Sequence, residues 1–122
     1  YGAMFPDMQF TPAARLLTRV VSRPTANRVT VDLGYKAIAS DPPAGNRMTF
    51  PDLPDAKEVL QNEEHLVLET SRADEFEPGD ELLAVPRHIC PTSALHQQAT
   101  VVAGGKIVGC WTIAARDRKL TI

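Results

Sequence analysis

The chain has 122 residues and a formal net charge of −2, with 43% apolar and 23% charged residues. That length gives one domain able to bury its own core, and the charge balance excludes the broad basic surface that binds nucleic acid. No apolar run reaches the roughly 20 residues that a membrane-spanning helix needs, and the opening Tyr1-Gly-Ala-Met-Phe-Pro-Asp7 lacks the basic-then-apolar order of a signal peptide.

A chain that opens without a starting Met reads as a piece of a longer protein. Its two cysteines, Cys90 and Cys110, are not enough for a disulfide-built secreted fold, although spacing alone leaves a bond between them open. We expect reduced thiols and a cytoplasmic protein. Ten prolines and seven glycines divide the chain into short elements. This suits an all-β fold over residues 1–122: a small, mostly antiparallel barrel or sandwich with one or two short helical turns.

Residues 13–23 alternate Leu17, Arg19 and Val21 with Leu16, Thr18 and Val20, which predicts a strand partly buried on both faces; a helix over residues 13–17 is the alternative. Pro24 ends that run. A turn at 25–28 then leads into Arg28-Val-Thr-Val-Asp32, so the two segments form a hairpin. Asp32 follows an apolar strand and needs a partner if partly buried, with Lys36 as one candidate. Residues 41–55 are rich in Pro and Gly and read as an irregular loop. Asp55 could then N-cap a short helical turn over 55–61. Glu63-Glu64-His65 leads into the strand Leu66-Val-Leu-Glu-Thr70.

Glu77-Pro78-Gly79-Asp80 has the residues of a type II turn and launches a strand over 81–86. That strand runs into Arg87-His88-Ile-Cys90-Pro91-Thr92, followed by a short helix up to His96. In extended backbone, residues i and i+2 share a face. His88 and Cys90 could then converge, and imidazole and thiolate are both ligands for zinc and related divalent metals. Two ligands leave positions open for water or substrate. His96 is a weaker candidate for a third. Gly104-Gly105 closes a hairpin between residues 97–103 and 106–114, within which Cys110 and Trp111 read as core.

The spacing of His88 and Cys90 does not by itself separate a metal site from a core cysteine beside a strand-end histidine. Cys90 as a nucleophile paired with His88 lacks an orienting third group. Glu63 and Glu64 fit a solvated pair better than an acid–base pair. His65 is ambiguous between packing and function.

Four blocks taken together resemble one family. They are Val29-Thr-Val-Asp32-Leu-Gly34-Tyr-Lys36-Ala-Ile-Ala-Ser-Asp41, Glu63-Glu64-His65-Leu-Val-Leu, Pro78-Gly-Asp80 through Val85-Pro-Arg-His88-Ile-Cys90-Pro-Thr92, and Val108-Gly-Cys-Trp111-Thr-Ile-Ala-Ala-Arg116. In this order they resemble the C-terminal domain of the D-serine dehydratase-like proteins, which include D-threonine aldolase and D-threo-3-hydroxyaspartate dehydratase. Residues 1–7 resemble the segment re-entering this domain, but depart from its Tyr-Val-Phe-x-Asp pattern by an apparent shift at Asp7.

The resemblance implies a fold-type III pyridoxal phosphate (PLP) enzyme related to alanine racemase. An N-terminal (β/α)8 barrel, absent from this chain, would carry PLP and its lysine. It implies His88 and Cys90 as ligands of a divalent metal, zinc first and manganese or magnesium as alternatives. Asp32, Lys36, Glu64, His65 and Thr92 become pocket or supporting residues, with no catalytic or PLP-binding residue in this chain. The implied reaction is α,β-elimination from a small D-3-hydroxy amino acid to a keto acid and ammonia, the metal acting as Lewis acid and PLP as electron sink. Family aldolases tend to have an acidic residue at the position of Cys90, so cysteine favours the dehydratase. The implied partners are the barrel domain, the substrate and a second copy in a homodimer, with no nucleic acid or membrane. The chain alone is not expected to be active. The alternatives are retro-aldol cleavage of the D-threonine aldolase type, or a non-enzymatic β-barrel binding and assembly module.

Overall fold

In a computed structural model, residues 5, 7–117 and 119 are described. Eight strands follow one another: β1 (Leu16–Thr25), β2 (Arg28–Val31), β3 (Met48–Thr49), β4 (Lys57–Gln61), β5 (Leu66–Glu69), β6 (Glu81–Pro86), β7 (Gln98–Ala103) and β8 (Lys106–Thr112). The only α-helical segment among the described residues is α1 (Ile89–Ser93), and 3-10 turns occupy Ala73–Glu75 and Ala114–Asp117. The antiparallel all-β expectation holds, with eight strands among the described residues.

Six strands form one sheet in the order β3-β6-β1-β2-β5-β4, and β7-β8 form a separate two-stranded sheet. Alternation explains the core. On β2, Val29 and Val31 are fully buried and pair with Leu68 and Leu66 of β5. On β1, Thr18 and Val20 point inward opposite Leu82 of β6 and Val31 of β2. Leu33, Ile38, Phe50 and Leu53 fill the interior from the connecting loops. β1 is buried on one face only: Leu17 and Val21 are exposed, contrary to the two-sided burial expected from their alternation.

The sheet curls until its edges meet through side chains. Glu58 of edge strand β4 accepts hydrogen bonds from the backbone N–H groups of Gly45, Arg47 and Met48 at 3.1, 2.9 and 3.2 Å, beside edge strand β3. Arg47 donates to Gln61 Oε1 at 2.7 Å. One carboxylate thus stands in for a backbone ladder, satisfying N–H groups that an open edge would leave free.

Two local expectations are corrected. Residues 57–61 form β4, not a helical turn, and residues 41–55 contain β3. Lys57, Glu58, Leu60 and Gln61 are good helix formers, but pairing with β5 around a bulge between Glu58 and Leu60 overrides that weak preference. Asp55 caps no helix. It accepts from the Ser71 N–H (2.8 Å), the Ser71 hydroxyl (2.8 Å) and the Thr70 hydroxyl (2.9 Å), and these three donors, in that order, hold its carboxyl below the ordinary value.

The β7-β8 hairpin turns at Gly104 and Gly105, whose φ values of +56° and +74° suit glycine. It projects from the body. Every residue of β8 is exposed, and Ile107 and Trp111 are 76% and 69% accessible. Cys110 and Trp111 are therefore surface residues, not core, because neither face of this two-stranded sheet is covered by the six-stranded one.

Candidate metal-ligating site at the start of helix α1

β6 ends at Pro86, and the chain does not remain extended through the His-x-Cys stretch. His88 is the N-cap of α1, with φ −124° and ψ 102°, and Cys90 lies in the first helical turn. The shared-face argument for an extended strand therefore does not apply. Pro91 is tolerated because the first-turn N–H groups of a helix have no intrahelical partner.

Thr92 fixes this helix start. It is 1% accessible, donates to the His88 carbonyl at 2.7 Å, and accepts from the Ala39 N–H at 3.0 Å. His96 Nε2 donates to the Ala37 carbonyl at 2.7 Å, so that nitrogen is engaged as a donor and is not an available third ligand. Together Thr92 and His96 strap residues 37–39 against the helix.

The strap ends in Asp41. Its Oδ2 lies 2.5 Å from Nδ1 of His88, and both side chains are about half exposed, at 53% and 48%. A carboxylate accepts, so Nδ1 is the donor, and in the neutral ring Nε2 carries the lone pair. The structure thus puts Asp41, the last residue of the first resembling block, against His88, a site role the sequence reading did not give it. The only further signal was its place at the start of a Pro-Pro turn 47 residues upstream.

Cys90 and Cys110 are both free and exposed. Imidazole and thiol suit a zinc-like ion. Among the described residues no three His, Cys, Asp or Glu side chains gather into a metal cluster. The described residues thus form no closed structural metal site.

The other sequence-predicted residues lie on neighbouring loops. Asp32 is not paired with Lys36. Its Oδ1 accepts from the Thr18 hydroxyl at 2.6 Å and the Arg19 N–H at 2.7 Å. Desolvation pushes its carboxyl up, but these hydrogen bonds outweigh it and the net shift is downward. Lys36 sits between Glu63 and Glu64, at 2.9 and 2.8 Å. Hydrogen bonds to Glu64 and then Glu63 raise its pKa. His65 is exposed, and its carbonyl accepts from Asn62. Gly34 lets these loops meet: a Cβ there would lie 1.9 Å from the Glu63 carbonyl oxygen. Residues 1–4 and 6 of the expected re-entry segment lie outside the described residues.

The fold is a curled antiparallel β domain whose helix start carries His88, held by Asp41, and the exposed thiol of Cys90. The chain belongs to the "Putative serine dehydratase domain" family, whose model matches residues 13–102. It is 33% identical over 121 residues to a D-threonine aldolase of Arthrobacter sp, covering 95% of this chain and 31% of that protein. It is 30% identical over 117 residues to a 3-hydroxy-D-aspartate aldolase of Paracoccus denitrificans, covering 96% of this chain and 29% of that protein. An uncharacterized protein of Mycobacterium tuberculosis is 29% identical over 117 residues, covering 92% of this chain and 86% of its own length, so it is a chain of similar size.

Among solved structures, a D-threonine aldolase from Filomicrobium marinum superposes with a TM-score of 0.79 at 26% identity, covering 89% of this chain and 29% of that one. A D-threo-3-hydroxyaspartate dehydratase from Delftia sp. shares the fold, with a TM-score of 0.67 at 21% identity, covering 80% of this chain and 31% of that one. The chain thus spans about 30% of the length of the named enzymes it matches.

Proposed function

We propose that this chain is the metal-ligating β domain of a PLP-dependent lyase acting on D-3-hydroxy amino acids, with His88 and Cys90 as its ligands. The observation that carries the reading is the Asp41–His88 contact. A carboxylate on one ring nitrogen, leaving the other free, is the usual setting of a metal-bound histidine. The exposed Cys90 thiol two residues on adds a donor of complementary softness.

A metal held there would supply Lewis acidity toward a substrate oxygen, and PLP on a barrel domain would supply the electron sink. The chain's own residues position those donors. Thr92 anchors the helix start, Asp41 orients His88, and Gly34 brings the 34–41 loop against 63–64. Two protein ligands leave coordination positions for substrate. The uncovered apolar surface of β7-β8, with Trp111, Ile107, Val108 and Val102 exposed, is suited to burial against the barrel domain or a second protomer.

Cys90 favours α,β-elimination, the dehydratase reaction. Retro-aldol cleavage is the second reading, supported by the two named aldolases at 33% and 30% identity. Product analysis separates them. The complete enzyme, given D-serine, D-threonine and 3-hydroxy-D-aspartate, is expected to release keto acid and ammonia. Aldehyde and glycine would instead establish the aldolase, and no turnover of any of the three would defeat both readings.

A further inference from the structure

We infer that Asp41 is a positioning residue that selects the ring tautomer and orientation in which His88 binds metal. The inference rests on the assignment of His88 as a ligand and deepens it. Three observations carry it. The Asp41 carboxylate meets Nδ1, not Nε2, at 2.5 Å. An accepting carboxylate keeps the proton of the neutral ring on Nδ1 and directs the Nε2 lone pair away from Asp41.

The second observation is that Asp41 is delivered by a braced loop. Ala39 N–H is held by the buried Thr92 hydroxyl at 3.0 Å, and the same hydroxyl donates to the carbonyl of His88 itself at 2.7 Å. The Ala37 carbonyl is held by His96 at 2.7 Å. A single buried hydroxyl therefore sets the spacing between the strap and the N-cap, and Asp41 and His88 face each other as a consequence.

The third is exposure. At 53% and 48% accessibility, the pair is the kind of surface contact that contributes little to stability. What it fixes is the direction in which an otherwise free imidazole points. Removing Asp41 should therefore leave the fold intact and change what His88 can do.

The test has two arms on this chain, both independent of catalysis. In the metal-free chain, long-range 1H–15N correlation at pH about 8, where an ordinary histidine is neutral, reads the tautomer of each ring. A His88→Ala spectrum assigns the signal among the three histidines. The wild type is expected to show the Nδ1–H form at His88. Asp41→Ala is expected to shift it to the Nε2–H form common in free imidazole, with an unchanged unfolding midpoint and backbone spectrum.

In the second arm, zinc affinity by competition with a chromophoric chelator is expected to fall roughly 10–100-fold in Asp41→Ala. Asp41→Asn, whose amide oxygen still accepts from Nδ1–H, should retain the tautomer and most of the affinity. An Nε2–H tautomer in the wild type, or equal zinc affinity in wild type and Asp41→Ala, would overturn the inference. If His88→Ala binds zinc as tightly as the wild type, the ligand assignment falls and this inference with it. Unchanged affinity in Asp41→Ala alone, with His88→Ala impaired, removes the inference and leaves the ligand assignment standing.

Discussion

Replacing Gly34 by alanine should damage this domain more than any other single-methyl addition at a glycine in the body of the fold. An added Cβ would lie 1.9 Å from the Glu63 carbonyl oxygen, 2.2 Å from its carbon and 2.3 Å from the Glu64 nitrogen. All three are backbone atoms, so no side chain can rotate out of the way. The two segments must separate by more than an ångström. Overpacking of that kind costs about 1–3 kcal/mol. Separation also breaks the hydrogen bonds from Tyr35 N–H to Asn62 and from Lys36 N–H to Glu63, at 2.9 and 3.1 Å, adding about 1 kcal/mol each.

The expected total is about 3–5 kcal/mol, a large share of the roughly 5–15 kcal/mol that holds a domain folded. Urea unfolding followed by far-UV circular dichroism reads it directly. Gly109→Ala is the control, since a Cβ there meets nothing within 4 Å, and it should leave the midpoint close to that of the wild type. If Gly34→Ala unfolds within about 1 kcal/mol of the wild type, the reasoning from close backbone approach is wrong.

Two further predictions concern the surface. The Asp55 carboxyl is depressed in the folded state by Ser71 and Thr70. Its contribution is therefore fully present above the ordinary carboxylate value of about 3.9 and fades as pH falls through the lower folded value. Asp55→Asn should flatten the acid limb of the stability–pH curve, and an unchanged acid limb would refute the assignment. Trp111 is the only tryptophan in the chain and is 69% accessible, so the free chain should show red-shifted emission that acrylamide quenches readily. A blue-shifted, protected signal from the chain at low concentration would contradict the exposed hairpin.

What the sequence showed of the fold follows how local each signal is. The turn at 77–80 was readable because Pro78 and Gly79 meet its dihedral demands directly: Gly79 has φ +105° and Asp80 N–H reaches the Glu77 carbonyl at 3.1 Å. Gly104-Gly105 was legible for the same reason, and the β1-β2 hairpin from the alternation of residues 16–21 and the β-branched run Val29-Thr-Val31. β4 was not, because Lys57, Glu58 and Gln61 favour helix locally and become a strand only through β5 and through Glu58's bonds to residues 45–48. Burial on β8 misled because an apolar strand looks like core whether its cover lies within the chain or elsewhere.

The candidate site divides along the same line. His88 and Cys90 were visible as residue types with metal chemistry. Their backbone setting was misjudged, because the extended chain ends at Pro86 and a helix begins at Ile89. The role of Asp41 was not legible, since its contact with His88 spans 47 positions and depends on Thr92 and His96 bracing the loop between. The Asp32–Thr18 bond similarly joins β1 to the end of β2 across 14 positions, and no local pattern announces it.

The central claim, that His88 and Cys90 ligate a divalent metal, is tested most directly by equilibrium dialysis of the chain against zinc, with metal per chain read by mass spectrometry. The account predicts that the wild type holds more zinc than His88→Ala or Cys90→Ala at the same free concentration, with all three equally folded. Equal occupancy in the wild type and both variants would contradict it.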